Sequence, residues 1–203
     1  MVKKDDLLFI CDFETTGVNP DIDYPIELGG LITDSELNII DTYNELIIPD
    51  LKTIQEWFIK VNHRDEWAPS FKSAYEVHKI DYLELTNEAI TYSEAVHKLN
   101  RKLGLIKQET KAKRVIIVSD NAQFEYNFMI KLYSIGDNDL IAEGKWPFHY
   151  SSWDTSLILE YLVPEIGDAI PVHRAFQDAT RLYRQLVRAF EKLNYFKEKN
   201  NGK

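Results

Sequence analysis

An apolar run that ends in two carboxylates is the feature that most constrains this sequence. Residues 7–17 read LLFICDFETTG, so a segment typical of a buried strand carries Asp12 and Glu14 with only Phe13 between them. Strand residues two apart point to the same side, so both carboxylates share one side while Phe13 faces the core. Two adjacent anions at a buried strand end are costly unless a cation, hydrogen bonds or a raised pKa relieves them.

Hard divalent cations such as Mg²⁺ or Mn²⁺ are the natural relief for such a pair, because they prefer oxygen ligands. The next three residues, Thr15, Thr16 and Gly17, favour a ligand site because small side chains let the backbone approach a ligand closely. A D-x-E pattern also occurs by chance, and two ordinary acids at an exposed strand end are the alternative.

Length and charge narrow the class of protein. The 203 residues show no break in composition, so we predict a single domain over 1–203, with an ordered core at about 7–196 and a polar tail at 197–203. A net charge of −9 argues against broad nonspecific coating of nucleic acid, but allows a local site in which metal ions supply the positive charge. The apolar stretch that stops at Asp12 is too short for a signal peptide or a membrane span, which predicts a cytoplasmic protein without membrane contact.

Hydrophobic periodicity predicts alternating strands and helices. Gly104 is predicted to end one helix, and Asp120 or Asn121 to cap another, while 136–153 is expected to be a loop. The predicted strands are 7–13, 26–33, 38–48 and 114–119, and the predicted helices are 54–59, 71–77, 93–103, 155–162 and 175–196, with a further helix around 124–132.

Three stretches in order resemble the motifs of one enzyme family. DFETTG (12–17), DNAQFEYNF (120–128) and HRAFQDA (173–179) resemble the three motifs of the DEDD superfamily of 3′-to-5′ exonucleases. The last stretch matches H-x-A-x-x-D-A, which marks the histidine subgroup. Weaker similarities lie in PIELGG (25–30), EVHKI (76–80) and PFHYSSWDT (147–155), the last of which resembles ribonuclease T.

The resemblance implies an α/β fold of the ribonuclease H-like type, with a mixed central sheet flanked by helices. It also implies two-metal phosphodiester hydrolysis with Mg²⁺ or Mn²⁺ and release of nucleoside 5′-monophosphates. By resemblance, His173 is the general base, and the catalytic metal ligands are Asp12, Glu14, Glu125 and Asp178. The residues expected to contact substrate are Phe13, Thr15, Thr16, Gly17, Asn121 and Phe124.

Two positions depart from the second motif of the family. Glu125 stands where the family has Asp, and Asp120 where it commonly has His. The additional methylene of Glu125 shifts or weakens the second metal, since Mg²⁺ tolerates little distortion of its octahedral shell. This departure leaves open a second function, that of a catalytically weak or inactive member that binds nucleic acid or docks to a partner.

The expected substrate is a single-stranded 3′ end, with DNA slightly favoured over RNA. A polymerase or another replication or repair protein is an expected partner, and the sequence does not indicate an oligomeric state. His78 and His149 are expected to line the cleft. Aromatic residues in the segment before the last helices either stack on unpaired bases or seal the edge of the core: Trp146, Phe148 and Trp153.

Overall fold

A six-stranded mixed sheet lies at the centre of the structure, a computed structural model that describes residues 2–62, 69–163 and 173–201. The strand order is β4-β3-β2-β1-β5-β6. Strand β1 runs antiparallel to β2 and parallel to β5, which confirms the predicted mixed sheet. The strands are β1 (Asp6–Thr15), β2 (Pro25–Asp34), β3 (Ile39–Ile48), β4 (Ile90–Thr91), β5 (Arg114–Ser119) and β6 (Trp153–Asp154).

Helices cover both faces of this sheet. Helices α4 and α5 pack on one face, α8 packs on the other, and α1 and α3 pack together near the β3 edge. In the part of the chain that the structure describes, no helix combines the length and the apolar character needed to cross a membrane. The helices are α1 (Leu51–Asn62), α2 (Pro69–His78), α3 (Tyr82–Glu88), α4 (Tyr92–Thr110), α5 (Ala122–Gly136), α6 (Asn138–Ala142), α7 (Ser156–Leu162) and α8 (Ala175–Asn201).

Strand β1 is buried on both faces, which explains its continuous apolar sequence. Phe9 packs in the cluster formed with α4 and α5, whereas Ile10 packs with Leu186 of α8. Because side chains alternate along a strand, Asp12 and Glu14 lie on the α8 face of the sheet, as Ile10 does. The predicted common orientation of the two carboxylates therefore directs them toward the helix that carries the third motif.

A glycine allows α8 to begin directly against the sheet. Gly29 of β2 is the cross-strand partner of Asp12. A Cβ atom at Gly29 would lie 2.0 Å from the backbone nitrogen of Phe176, in the first turn of α8. The missing side chain thus lets the start of α8 approach the strand end that bears the carboxylates.

The predicted end of α4 at Gly104 is wrong. The helix continues to Thr110 and ends at Lys111, which adopts a left-handed conformation with φ of 57°. Gly104 faces open space, and Ile106 beyond it is buried against the sheet. Burial of the following turn therefore outweighs the modest cost of a glycine within a helix.

Other boundaries also differ from the sequence prediction. Helix α8 continues to Asn201 through most of the predicted polar tail, and residues 202–203 of that tail lie outside the described residues. The predicted loop over 136–153 contains α6, and α3 has no counterpart in the prediction. Of the two residues predicted to cap α5, Asn121 occupies the N-cap position, although its side chain makes no capping hydrogen bond.

We expect Gly29→Ala to destabilise the protein, because the new methyl group would overlap backbone atoms of α8 that cannot rotate away. The free energy of unfolding should fall by about 2 kcal/mol or more. Gly104→Ala is the matched control and should raise it by about 0.5–1 kcal/mol, because Gly104 lies in an open helix interior. Urea unfolding monitored by circular dichroism measures both changes, and equal stabilities of the two variants would contradict the close approach of α8.

Candidate metal and catalytic site

Three motif residues converge at the end of β1. Glu14, His173 and Asp178 each offer one ligand atom, and these three atoms lie within 4.8 Å of one another. Asp12 belongs to the same group of charges, since both Glu14 and Asp178 raise its pKa. The structure therefore brings together the predicted residues of the first and third motifs.

The backbone at the start of α8 orients His173 and Asp178 toward each other. His173 has a φ of 55°, in the left-handed region that few residues other than glycine adopt. Its backbone N–H donates a hydrogen bond of 2.8 Å to Oδ2 of Asp178. The carboxylate of Asp178 thus caps the turn that presents the half-buried His173.

An ion pair with a buried glutamate fixes the residue next to His173. Arg174 donates from Nε and Nη2 to the carboxylate of Glu27 on β2, at 2.9–3.2 Å. Glu27 also accepts a 2.9 Å hydrogen bond from the backbone N–H of Ala175, and Arg174 forms a second ion pair with Glu84 of α3 at 2.9 Å. These contacts tie the start of α8 to the sheet and to α3.

The sequence prediction did not assign this pair. Glu27 lies in PIELGG, and Arg174 lies within the third motif. A charged residue inside an otherwise apolar strand was the available signal, the same signal that drew attention to Asp12. Its partner lies 147 residues away, so the spacing of residues could not identify it.

Glu125 enters the site from the first turn of α5. Its side chain is buried, with 2% of the residue exposed, and burial followed by the charge of Asp12 raises its pKa well above the ordinary value. Oε1 lies 3.4 Å from the Ser119 hydroxyl, whereas Oε2 has no hydrogen-bond partner among the described residues. A buried carboxylate oxygen without a partner costs free energy, and a divalent cation would satisfy it.

The donor set suits a hard divalent cation. Asp12, Glu14, Asp178 and Glu125 offer carboxylate oxygens, and His173 offers a ring nitrogen. Oxygen ligands favour Mg²⁺ and Mn²⁺ over softer metals. The residues present therefore fit the cofactor that the sequence motifs imply.

Burial and repulsion raise the pKa values of the β1 carboxyl groups. For Glu14, burial is the largest cause, followed by the charges of Glu27 and Asp178, and the pKa reaches about 8. For Asp12, burial and then the charge of Glu14 raise the pKa well above its ordinary range. Without a bound cation, both groups are therefore stabilised in the protonated form at neutral pH.

The loop after β1 is held by its own side chains. The Thr15 hydroxyl donates to the carbonyl of Gly17 at 2.6 Å, and the Thr16 hydroxyl accepts from the backbone N–H of Tyr24 at 2.9 Å. Phe13 is buried in the core with Phe128, on the face opposite Asp12. Contact of these residues with a terminal nucleotide stays a prediction, and for Phe13 it would involve the backbone.

The two other predicted substrate residues lie at the start of α5. Asn121 is exposed, and Phe124 is half-buried with its ring centroid 4.7 Å from that of Phe128. Both residues precede Glu125, Asn121 at the N-cap of α5 and Phe124 in its first turn. Their contact with substrate likewise stays a prediction.

The two histidines expected to line the cleft lie in different places. His78 is buried, and burial followed by the charges of Arg174 and His173 lowers its pKa to about 4, so it lies beside the site as a neutral imidazole. The expectation for His149 is wrong. Its backbone N–H donates to the carbonyl of Val115, at the end of β5 opposite the carboxylates.

The three aromatic residues of the predicted stacking set, Trp146, Phe148 and Trp153, belong to the core or its edge. Phe148 is buried and stacks on Phe9, with ring centroids 5.8 Å apart. Trp146 packs edge-on against Tyr133, and Trp153 packs against Phe190 of α8. Of the two alternatives left open by the sequence, sealing of the core edge is the one that these contacts support.

Comparisons with known proteins bear on the family and on the fold. The sequence matches the family model of RNase T exonucleases over residues 9–186. A search of curated proteins found no match.

Several solved structures share the fold. Exonuclease I from Methylocaldum szegediense is 18% identical with a TM-score of 0.53, and the match covers 78% of this chain and 30% of that chain. E. coli Exonuclease I in complex with a 5cy-dT13 oligonucleotide is 16% identical with a TM-score of 0.63, and covers 94% of this chain and 42% of that chain. The zinc-bound complex of E. coli Exonuclease I with single-stranded DNA gives a TM-score of 0.61 at the same identity. The chain thus spans less than half the length of these Exonuclease I structures.

We expect Glu14→Gln to stabilise the metal-free protein in a pH-dependent way. The folded-state pKa of about 8 exceeds the ordinary value of 4.5, so the stability present below pH 4.5 is lost as the pH rises toward 8. A glutamine removes this loss, which is on the order of 1.4 kcal/mol for each unit of pKa difference. Urea unfolding in EDTA at pH 5 and pH 8 measures the difference between wild type and variant.

The control is Glu109→Gln, which changes an exposed glutamate near the end of α4. We expect the advantage of Glu14→Gln over wild type to grow from pH 5 to pH 8, while Glu109→Gln follows wild type. The same difference at both pH values would contradict a raised pKa for Glu14.

Proposed function

Because the chain belongs to the RNase T family of exonucleases, within the DEDD superfamily, we propose that it is a metal-dependent 3′-to-5′ exonuclease. The substrate is a single-stranded 3′ end, and the products are nucleoside 5′-monophosphates. The observation that carries this proposal is the convergence of Glu14, His173 and Asp178 within 4.8 Å, beside Asp12. These residues come from opposite ends of the chain, and a chance surface cluster would not be buried at the end of the central strand.

Four carboxylates would hold two divalent ions, Mg²⁺ or Mn²⁺: Asp12, Glu14, Glu125 and Asp178. When bound, such ions activate a water molecule and neutralise charge on the phosphate that is attacked. Oε2 of Glu125 has no hydrogen-bond partner in the part of the chain that the structure describes, which supports its assignment as a ligand despite the departure from the family motif.

His173 serves as the general base in this proposal. Its ring nitrogen lies within 4.8 Å of ligand atoms of Glu14 and Asp178, so it faces the region where the nucleophilic water would be held. An imidazole accepts a proton efficiently near neutral pH. Arg174, held by Glu27, and the hydrogen bond from His173 to Asp178 fix the backbone that presents the ring.

DNA is proposed as the preferred substrate over RNA. The support is the shared fold with E. coli Exonuclease I, whose structures contain single-stranded DNA, together with the DFETTG motif. Trp146, Phe148 and Trp153 supply no stacking platform in this proposal, because they pack in or against the core. Association with a polymerase stays a prediction.

The rival function is an inactive module that binds nucleic acid or a partner protein. Glu125 motivated it, because it replaces the aspartate of the family motif. However, a binding module has no need for four carboxylates and a histidine gathered in one site, and their burial costs stability. The position of Glu125 beside Asp12 makes the active enzyme the better proposal.

We expect purified protein to shorten a 5′-labelled single-stranded DNA oligomer one nucleotide at a time in Mg²⁺ or Mn²⁺. EDTA should abolish the reaction, and a 3′-terminal block should prevent it, whereas a 5′ block should not. Asp12→Ala should eliminate turnover and leave the fold intact, because removal of this half-buried carboxylate relieves repulsion. Gel analysis of the products, with circular dichroism of the variant, checks each point.

Hydrolysis of the 3′-blocked strand would overturn the proposed direction. Retention of activity in EDTA would overturn the metal site. Binding of the oligomer without hydrolysis in either metal would favour the inactive module. A matched RNA oligomer measures the sugar preference in the same assay.

We expect wild type to prefer Mn²⁺ over Mg²⁺, because the longer side chain of Glu125 distorts an octahedral shell that Mg²⁺ tolerates poorly. Glu125→Asp should shift the preference toward Mg²⁺. Glu125→Gln should be slower than either, since it keeps the length and removes the charge. Initial rates against metal concentration on one oligomer give the comparison, and equal rates of wild type and Glu125→Gln in both metals would show that Glu125 is not a ligand.

A further inference from the structure

The side chain of Arg181 contacts residues of both the second and the third motif. Arg181 follows Asp178 by one turn of α8, and its side chain is only 22% exposed. Its Nε donates to Oδ1 of Asp178 at 3.3 Å, and its Nη2 lies 3.6 Å from Oδ2 of Asp120. Arg181 therefore links a residue proposed as a metal ligand to the acid that replaces the common histidine of the second motif.

The contacts of Asp120 extend this link to Glu125. The hydroxyl of Ser119 lies 3.4 Å from Oδ1 of Asp120 and 3.4 Å from Oε1 of Glu125. A third nitrogen of Arg181, Nη1, lies 3.5 Å from Oε1 of Gln185, one turn farther along α8. The guanidinium is thus held on three sides within the structure.

Asp120 and Glu125 differ in what they can offer a metal ion. The Asp120 side chain is 43% exposed and pairs with Arg181. Glu125 is buried, and its Oε2 has no partner among the described residues. Of the two acids in the second motif, Glu125 is therefore available for metal binding, whereas Asp120 already has a counter-ion.

The charge of Arg181 acts on the metal site itself. The neighbouring carboxylates raise the pKa of Asp12, and Arg181 opposes that rise. A fixed positive charge repels a divalent cation at short range and offsets part of the attraction of the carboxylates. It also holds one oxygen of Asp178 that a metal would otherwise share.

We propose that Arg181 is a positioning residue that weakens the affinity of this site for its second divalent cation and keeps Asp120 outside the set of metal ligands. The proposal rests on the metal site of the proposed function and assigns a role that the sequence motifs do not contain. Because of Arg181, the second cation binds only at a higher metal concentration than the first. In this role it compensates, within the metal-free protein, for carboxylates that repel one another.

The test measures metal binding without substrate. Mn²⁺ titrations by calorimetry, with free Mn²⁺ followed by electron paramagnetic resonance, should show two ions bound to wild type with unequal affinities. Arg181→Gln should tighten the weaker ion by about tenfold or more, since a unit charge close to a dication is removed. Arg181→Lys should stay close to wild type because it keeps the charge.

Arg184→Gln is the matched control. It makes the same change of charge on the same helix at an exposed position, and we expect less than a twofold effect on either ion. Melting temperatures in EDTA give a second readout, in which Arg181→Gln should melt lower than both wild type and Arg184→Gln.

Asp120→Asn keeps the proposal testable if Arg181→Gln does not fold. Two ions should still bind to Asp120→Asn, because Asp120 is not a ligand, and loss of one ion would overturn the proposal. Unchanged or weaker binding of the second ion to folded Arg181→Gln would also overturn it. Failure of wild type to bind Mn²⁺ at all would instead overturn the proposed function.

Discussion

Repulsion among buried carboxylates is the constraint on which the rest of this structure depends. Asp12 and Glu14 lie at the end of the central strand. Burial is the largest cause of their raised pKa values, and the charge of Asp178 raises both further. Such an arrangement costs stability, which two guanidinium groups offset in part: Arg181 opposes the rise in the pKa of Asp12, and Arg174 opposes the rise in the pKa of Glu14. Arg174 also forms an ion pair with Glu27. Metal binding would relieve the remaining repulsion, so the stability of the protein would depend on whether metal is bound.

The fold concentrates these charges by bringing the start of α8 close to the sheet. Gly29, opposite Asp12, leaves space for the first turn of the helix, and Glu27 accepts hydrogen bonds from that same turn. Apolar contacts with the sheet then hold the part of α8 between Leu182 and Phe190. The α8 face of the sheet thus contains both the apolar contacts with the helix and the carboxylates at the strand end. The same elements therefore determine the stability of the protein and the geometry of the site.

Local chemistry accounts for what could be predicted. The strands came from apolar runs, and the shared side of Asp12 and Glu14 came from the two-residue period of a strand. The predicted helix end at Gly104 failed because burial of Ile106 outweighed a local glycine signal. The expected place of His149 failed for a related reason: its segment pairs with the opposite end of β5, which no short motif reveals.

The sequence by itself determined the order of the three motifs, the pair of carboxylates on one side of β1, and the five-residue separation of His173 from Asp178. Only the tertiary structure decided which positively charged side chains balance the carboxylates. The ion pair of Arg174 with Glu27 joins residues 147 positions apart. Arg181 of α8 forms an ion pair with Asp120, which lies between β5 and α5. Periodicity encodes which face a side chain occupies along its own element, whereas partners across elements depend on how those elements pack, and packing is settled by the whole core.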